Sequence, residues 1–179
     1  MRHPWRVDRD LAGRFHPQYP DDLQIVVHDG EPRRTGRGPE SCWVHTTDVY
    51  GALSIPYVAA DAQPPFAPAT ARWRERVVYR GTLLNTPHQL TSVAQGDSVL
   101  YLHASGLPQP LMVTEAYLRE RGQWSYTPCD RCGADQSLDP PSVMQRTRFP
   151  SAPAGAVMLS FSAFCPCGGT MVLGAMQPR

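Results

Sequence analysis

Two short segments concentrate the chemistry of this chain: Cys129-Asp130-Arg131-Cys132-Gly133 and Cys165-Pro166-Cys167-Gly168-Gly169. A C-x-x-C-G turn aims two thiolates at one point, and the glycine lets backbone N–H groups face the sulfurs. Two such turns build a tetrahedral thiolate site, the geometry zinc prefers. The spacing therefore predicts a structural Zn²⁺ held by Cys129, Cys132, Cys165 and Cys167. Four thiolates and Zn²⁺ sum to a charge of about −2, which Arg131 inside the first turn can offset in part. The second pair is C-x-C, one residue shorter than the first. It closes as a compressed turn, or another ligand such as a histidine replaces one thiol. A redox dithiol is the alternative, although such pairs usually open a helix beside a βαβ pattern. Unliganded core thiols are the plainest reading. The fifth cysteine, Cys42, precedes Trp43 in an apolar strand and reads as core.

Other residues offer weaker signals. His28-Asp29, His45 with Asp48, His88 and His103 have the types needed for acid–base or metal chemistry, but none has H-E-x-x-H spacing. A satisfied structural histidine is the simpler reading of each. No phosphate-binding glycine loop and no G-x-S-x-G elbow is present. Arg33, Arg34 and Arg37 form one basic run. Arg72, Arg74, Arg76 and Arg80 form another and share one face of a strand by parity, with Trp73 and Val77 opposite. Such a stripe, with Trp73 and Tyr79, can track phosphates; the simpler reading is a solvated sheet face.

These residues need strands to position them. Leu23–His28, Cys42–Tyr50, Arg74–Leu84 and Ser98–His103 are β-branched or aromatic runs bounded by turn residues, and each predicts a strand. On the last, Val99, Tyr101 and His103 face one way, and Leu100 and Leu102 the other. One helix is predicted after Thr114, with Glu115 in its first turn, Arg119 and Arg121 near its end and Gly122 beyond. Leu111, Tyr117 and Leu118 supply its apolar stripe. Gln123–Thr127 returns to strand. Val157–Phe164 and Thr170–Leu173 make a hairpin, expected to pack on the main sheet through Val157, Leu159 and Phe161. Residues 1–20 read as an arm docked by Trp5 and Phe15. The Pro/Ala-rich stretch at 51–71 reads as a surface insertion.

The totals agree with this picture. A chain of 179 residues is one domain with room for a small annex. With 19 Pro, 14 Gly and only 18% charged residues, it disfavours a helical bundle and favours short strands. The 17 positive residues are all Arg, and the net charge of +1 excludes a strongly basic nucleic-acid binder. There is no apolar stretch long enough to span a membrane, and no secretory segment follows Met1. An odd cysteine count without an export signal predicts a reduced, cytoplasmic setting. The expected architecture is α+β, mainly β: a small antiparallel sheet or partly open barrel with one helix and a C-terminal zinc-ribbon-like hairpin. Residues 21–122 form the β-rich part, and 123–179 the ribbon-like module on the same core.

Glu40–Val44 (ESCWV), Tyr79–Pro87 (YRGTLLNTP) and Gly96–Val99 (GDSV) resemble the YegJ-like bacterial domain of unknown function. The resemblance spans about residues 40–104. It implies a compact β-rich domain with Gly81, Asn85, Pro87, Gly96 and Asp97 as turn-formers, and it implies no activity. After the G-D-x-V strand this chain departs from the family pattern, reading LMVTEAYLRERGQW, and the cysteine module is an addition.

The functional expectation is a non-enzymatic, zinc-stabilised module that binds another macromolecule, in the first place a protein. One alternative is a hydrolytic or redox enzyme using His28, His45, Asp48 or His103. Another is a nucleic-acid binder using the Arg72–Arg80 stripe.

Overall fold

A computed structural model describes residues 3–58, 71–156 and 158–176. In chain order the elements are β1 (Asp22–Val27), the single turn α1 (Pro32–Thr35), β2 (Glu40–Tyr57), β3 (Arg72–Leu83), β4 (Ser98–Leu102), β5 (Leu111–Val113), α2 (Glu115–Arg121), β6 (Trp124–Thr127), α3 (Pro141–Arg148), β7 (Ser160–Phe164) and β8 (Thr170–Ala175). The protein is mainly β. Its sheet runs β1-β5-β4-β3-β2-β6-β8-β7, and β1 also pairs with β2. The first five strands close into a barrel, and β6, β8 and β7 extend its sheet, in keeping with the expected α+β, mainly β architecture.

The long strand β2 makes both structures from one segment. Its first residues pair with β1, from Val27↔Glu40 to Asp22↔His45. Its remainder pairs with β3, and Tyr57 pairs in parallel with Tyr126 of β6. Register shifts after Thr46 and Val49 bend it, as bulges do. The β-branched run thus continues to Tyr57, seven residues beyond Tyr50, and residues 51–57 are strand rather than insertion. Residues 59–70, the rest of that stretch, lie outside the described residues.

Strand alternation sorts side chains into separate cores. Leu23, Ile25, Val27, Cys42, Val44, Tyr79, Leu83, Val99 and Tyr101 fill the barrel. Leu102 joins Val78, Val113 and Tyr117 on the outside, where α2 packs. A third cluster belongs to the ribbon and contains Tyr126, Met144, Phe161, Ala163, Met171 and Leu173. The single shared core expected from the sequence is therefore three clusters. Phe161 is buried against Trp124 and Phe149, but Leu159 is 73% exposed. It precedes the strand and falls outside that cluster. Val157 is outside the described residues.

The arm docks as its aromatic residues predict. Trp5 is buried, and Phe15 packs on the barrel core. Trp5 Nε1 donates to Asp21 at 2.7 Å, and Arg6 forms an ion pair with the same carboxylate at 2.6 Å. The Arg6 hydrogen bond holds Asp21 at a pKa of about 2. The helix expected after Thr114 is present, and Thr114 accepts from Tyr117 N–H at 3.2 Å. Leu111 is not on it; Leu111, Met112 and Val113 form the buried strand β5, too short to show a period. The helix α3 is an addition to the single helix expected from the sequence. Pro at the first helical position is a genuine start signal.

Gly81 has a different role from the turn-former implied by resemblance. It lies within β3, where an added Cβ would stand 2.2 Å from Val44 Cγ1 and 2.7 Å from the His45 carbonyl oxygen. Barrel closure needs this close approach. Gly81→Ala is expected to cost about 3 kcal/mol or more, the upper range of overpacking, measured by urea denaturation. A loss within about 0.5 kcal/mol, the range of surface changes, would show that β2 and β3 can separate freely.

Candidate metal centre

The two cysteine turns are brought together by the extension of the barrel sheet. The first follows β6, and the second links β7 to β8. Since β8 pairs with both β6 and β7, the turns meet at one end of the three strands. Asp130 completes the docking. Its N–H donates to the Thr170 carbonyl at 3.1 Å, and its carboxylate accepts from Thr170 N–H at 2.8 Å.

Local hydrogen bonds shape each turn. In the first, Gly133 N–H donates to the Cys129 carbonyl at 2.9 Å, and Cys129 N–H to the Ala134 carbonyl at 2.9 Å. In the second, Gly168 N–H donates to the Cys165 carbonyl at 2.9 Å, and Cys165 N–H to the Gly169 carbonyl at 2.8 Å. The missing residue of the C-x-C pair is absorbed by the two glycines. Gly168 takes a φ of +86°, and Gly169 N–H points at Cys167 Sγ, 3.4 Å away. No histidine substitutes for a thiol: the four sulfurs themselves converge.

All four Sγ atoms lie within 4.8 Å of one another. Cys129 and Cys167 are 3.5 Å apart, and Cys132 and Cys165 are 3.6 Å apart. A tetrahedral centre with metal–sulfur bonds of about 2.3 Å has sulfur–sulfur edges of about 3.8 Å. Disulfide bonds are near 2.05 Å, and all five cysteines are free thiols. The cluster therefore has the donors and spacing to hold a metal ion. Gly169 N–H draws the Cys167 pKa down to about 7, whereas burial raises those of Cys165 and Cys132. Arg131 donates through Nη1 to the Cys167 carbonyl at 2.9 Å, which holds a positive charge beside the second turn. Cys42 is remote from this chemistry, buried in the barrel core.

The other candidates are dispersed. His28 is fully buried; Gly30 N–H donates to its Nδ1 at 3.0 Å, which leaves Nε2–H to donate to the Met112 carbonyl at 2.7 Å. Both ring nitrogens are satisfied, and burial lowers its pKa. His45 pairs with Asp22 at 2.6 Å, and Asp48 with Arg80 at 3.1 Å. His103 faces Ser105 at 3.5 Å. Among the described residues, no hydrogen bond or ion pair joins any two of these four. The arginine stripe is divided as well. Arg76 is buried between Asp10 at 2.9 Å and Asp135 at 3.0 Å. Arg74 reaches Asp135 at 3.5 Å and lies over the Tyr57 ring.

Sequence reading missed the segment from Ala134 to Asp139, which links the first turn to α3. It is polar yet buried. Asp135 receives Arg76, and its other carboxylate oxygen accepts from Ser105 N–H at 2.8 Å. Gln136 Oε1 accepts from Tyr117 Oη at 2.6 Å and Arg121 Nε at 3.1 Å. The Ser137 hydroxyl contacts Tyr126 Oη at 2.8 Å. Asp139 accepts from Arg33 N–H at 3.1 Å. Beside this segment lies a cleft of about 430 Å³ between barrel and ribbon. In the sequence the segment shows only its polar residue types, Asp135, Gln136, Ser137 and Asp139.

Two outcomes are expected. A Cβ at Gly169 would stand 2.5 Å from Cys129 Sγ and 2.7 Å from Arg131 Cβ. Gly169→Ala should weaken metal binding at least about tenfold, as loss of a supporting contact does, read by competition with a chromophoric chelator; unchanged affinity would refute this packing. Asp139 has its pKa raised to about 6, chiefly by burial. The unfolded chain releases that proton near the ordinary value of about 4. Its contribution to stability is therefore full below about pH 4 and lost as pH rises through about 6. Melting curves of the protein should fall over that window relative to Asp139→Asn, and parallel curves would contradict it. No protein family, curated protein or solved structure matches this chain.

Proposed function

We propose that this chain is a binding module whose ribbon is fastened to its barrel by a structural zinc ion, and that its partner is another protein. The convergence of the four sulfurs carries this reading. Four thiolates fill a tetrahedral shell and leave no open position for a substrate or water, which marks a structural rather than a catalytic centre. Cys129, Cys132, Cys165 and Cys167 would hold the ion, and Arg131 would offset part of its negative charge. The dispersal of His28, His45, Asp48 and His103 favours binding over hydrolysis. The carboxylates on Arg74, Arg76 and Arg80 weigh against a nucleic-acid role. The resemblance of residues 40–104 to the YegJ-like domain adds no activity. Among the described residues, no helix is long and apolar enough to cross a membrane.

Elemental analysis tests the metal directly. Protein purified under reducing conditions without chelator should carry near-stoichiometric zinc. Cys129→Ser should lose most of it and lower Tm by roughly 5–10 °C, equivalent to a few kcal/mol in a domain of this size. Amide exchange should rise first in β7 and β8. A metal-free, fully folded protein, or a disulfide between Cys129 and Cys132, would defeat the assignment and favour a redox dithiol.

A further inference from the structure

The cleft between barrel and ribbon is half inside each. Val26, Leu107 and Leu111 line it from the barrel side, and Phe164, Pro166 and Met171 from the ribbon side. At about 430 Å³ it lies within the range of ligand pockets. Phe164 stands 58% exposed at the rim, an apolar ring with its edge left to solvent.

The polar groups of the wall are unequal in what they have left to offer. Ser137 is spent on the Asp139 carbonyl and Tyr126. Asp139 is spent on Arg33, through the backbone N–H at 3.1 Å and Nε at 3.4 Å. Arg33 Nη2 donates to the Phe164 carbonyl, but its Nη1 makes no hydrogen bond among the described residues. Gln136 is 3% exposed, and its Nε2 is buried without a partner. A buried unpaired donor costs about 1–3 kcal/mol. The unspent capacity here is therefore donor capacity, and one of the two donors is charged. Arg148 lies 5.7 Å above the Phe164 ring and adds a second positive charge at the rim. Of the nearby acids, Glu31 is paired with Arg34, and Asp29 accepts from Thr35 and Glu31 N–H. An apolar group ending in an anionic acceptor complements this wall.

The neighbouring strand indicates what carries that group. β7 is the last strand of the sheet. The bonds from Cys165 N–H to the Gly169 carbonyl and from Ala175 N–H to the Leu159 carbonyl set its register. Odd-numbered residues bond to β8, so the backbone groups of Ser160 and Ser162 face away from it. An extended chain pairing with that edge in parallel to β7 would bring its C-terminal end to the Phe164 side, where Arg33 sits.

We propose that this cleft binds the C-terminus of a partner protein: a final apolar side chain enters between Val26, Leu107 and Phe164, and its carboxylate meets Arg33. The mode combines strand addition with capture of a chain terminus. It rests on the protein-binding reading above and specifies its partner.

The probes are an acetylated peptide ending Thr-Val-Leu with a free carboxylate, the same peptide as a C-terminal amide, and octanoate, each titrated into the full metal-loaded chain and followed by methyl NMR. The free acid should shift Val26, Leu107 and Leu111 saturably, and the amide should bind at least about tenfold more weakly, the worth of a charge-assisted bond. Arg33→Gln should erase the difference between acid and amide, and Phe164→Ser should weaken both; metal content and melting temperature show that each variant is folded. Equal affinity for acid and amide overturns the proposal, as does octanoate binding where the peptide does not. A zinc-loaded chain that ignores the peptide defeats this inference alone, whereas a zinc-free chain that binds it defeats only the metal reading.

Discussion

The structure turns on a charge buried without a carboxylate beside it. Arg121 is 1% exposed, and among the described residues it forms no ion pair. A guanidinium removed from water must have its donors satisfied. Arg121 does so through Gln136 Oε1 and the carbonyls of Trp124, Pro56 and Asp135. It also stacks over Tyr126, 3.7 Å from the ring centre. Those partners come from the barrel strand β2, the ribbon strand β6 and the buried segment 134–139. Satisfying one cation therefore fixes three pieces of chain relative to one another. A hydrophobic contact in the same place would have been non-directional.

The cysteine cluster inherits its geometry from this arrangement. Ala134, whose carbonyl closes the first cysteine turn, is the residue before Asp135. Arg76 and Ser105 hold Asp135 from the barrel side. The first cysteine pair is thus placed by the barrel, and the second by the β7–β8 hairpin. Their meeting depends on both bodies being docked. A cation at the four sulfurs would in turn close the loop between them, so that docking and metal binding support each other.

The cleft follows from the same junction. Three apolar clusters, rather than one, leave a seam between barrel and ribbon, and polar side chains span only part of it. Where they stop, Val26, Leu107, Phe164 and Pro166 line the cleft. The carboxyl at its edge, Asp139, is protonated more readily than an ordinary aspartate because burial there outweighs the pull of Arg33.

Much of the local structure was legible from residues alone. Alternation assigned Val99 and Tyr101 to one face and Leu102 to the other, because a strand's side-chain period is set by its own backbone. Thr114 and Gly122 bracketed α2 because capping is a local hydrogen-bond problem. The four metal-binding candidates were legible because thiols repeat with glycines at turn spacing. Barrel closure was not, since it depends on β1 finding both β2 and β5, and on Gly81 admitting Val44 at close range. Nor was the fate of the arginines: parity placed Arg76 on a solvated face, yet Asp10 and Asp135, far away in the chain, bury it. The polar segment 134–139 carries no local sign of its burial, because its partners lie elsewhere in the chain. Local periodicity and turn chemistry are written in consecutive residues, whereas the pairing of buried charges is decided only when distant segments meet.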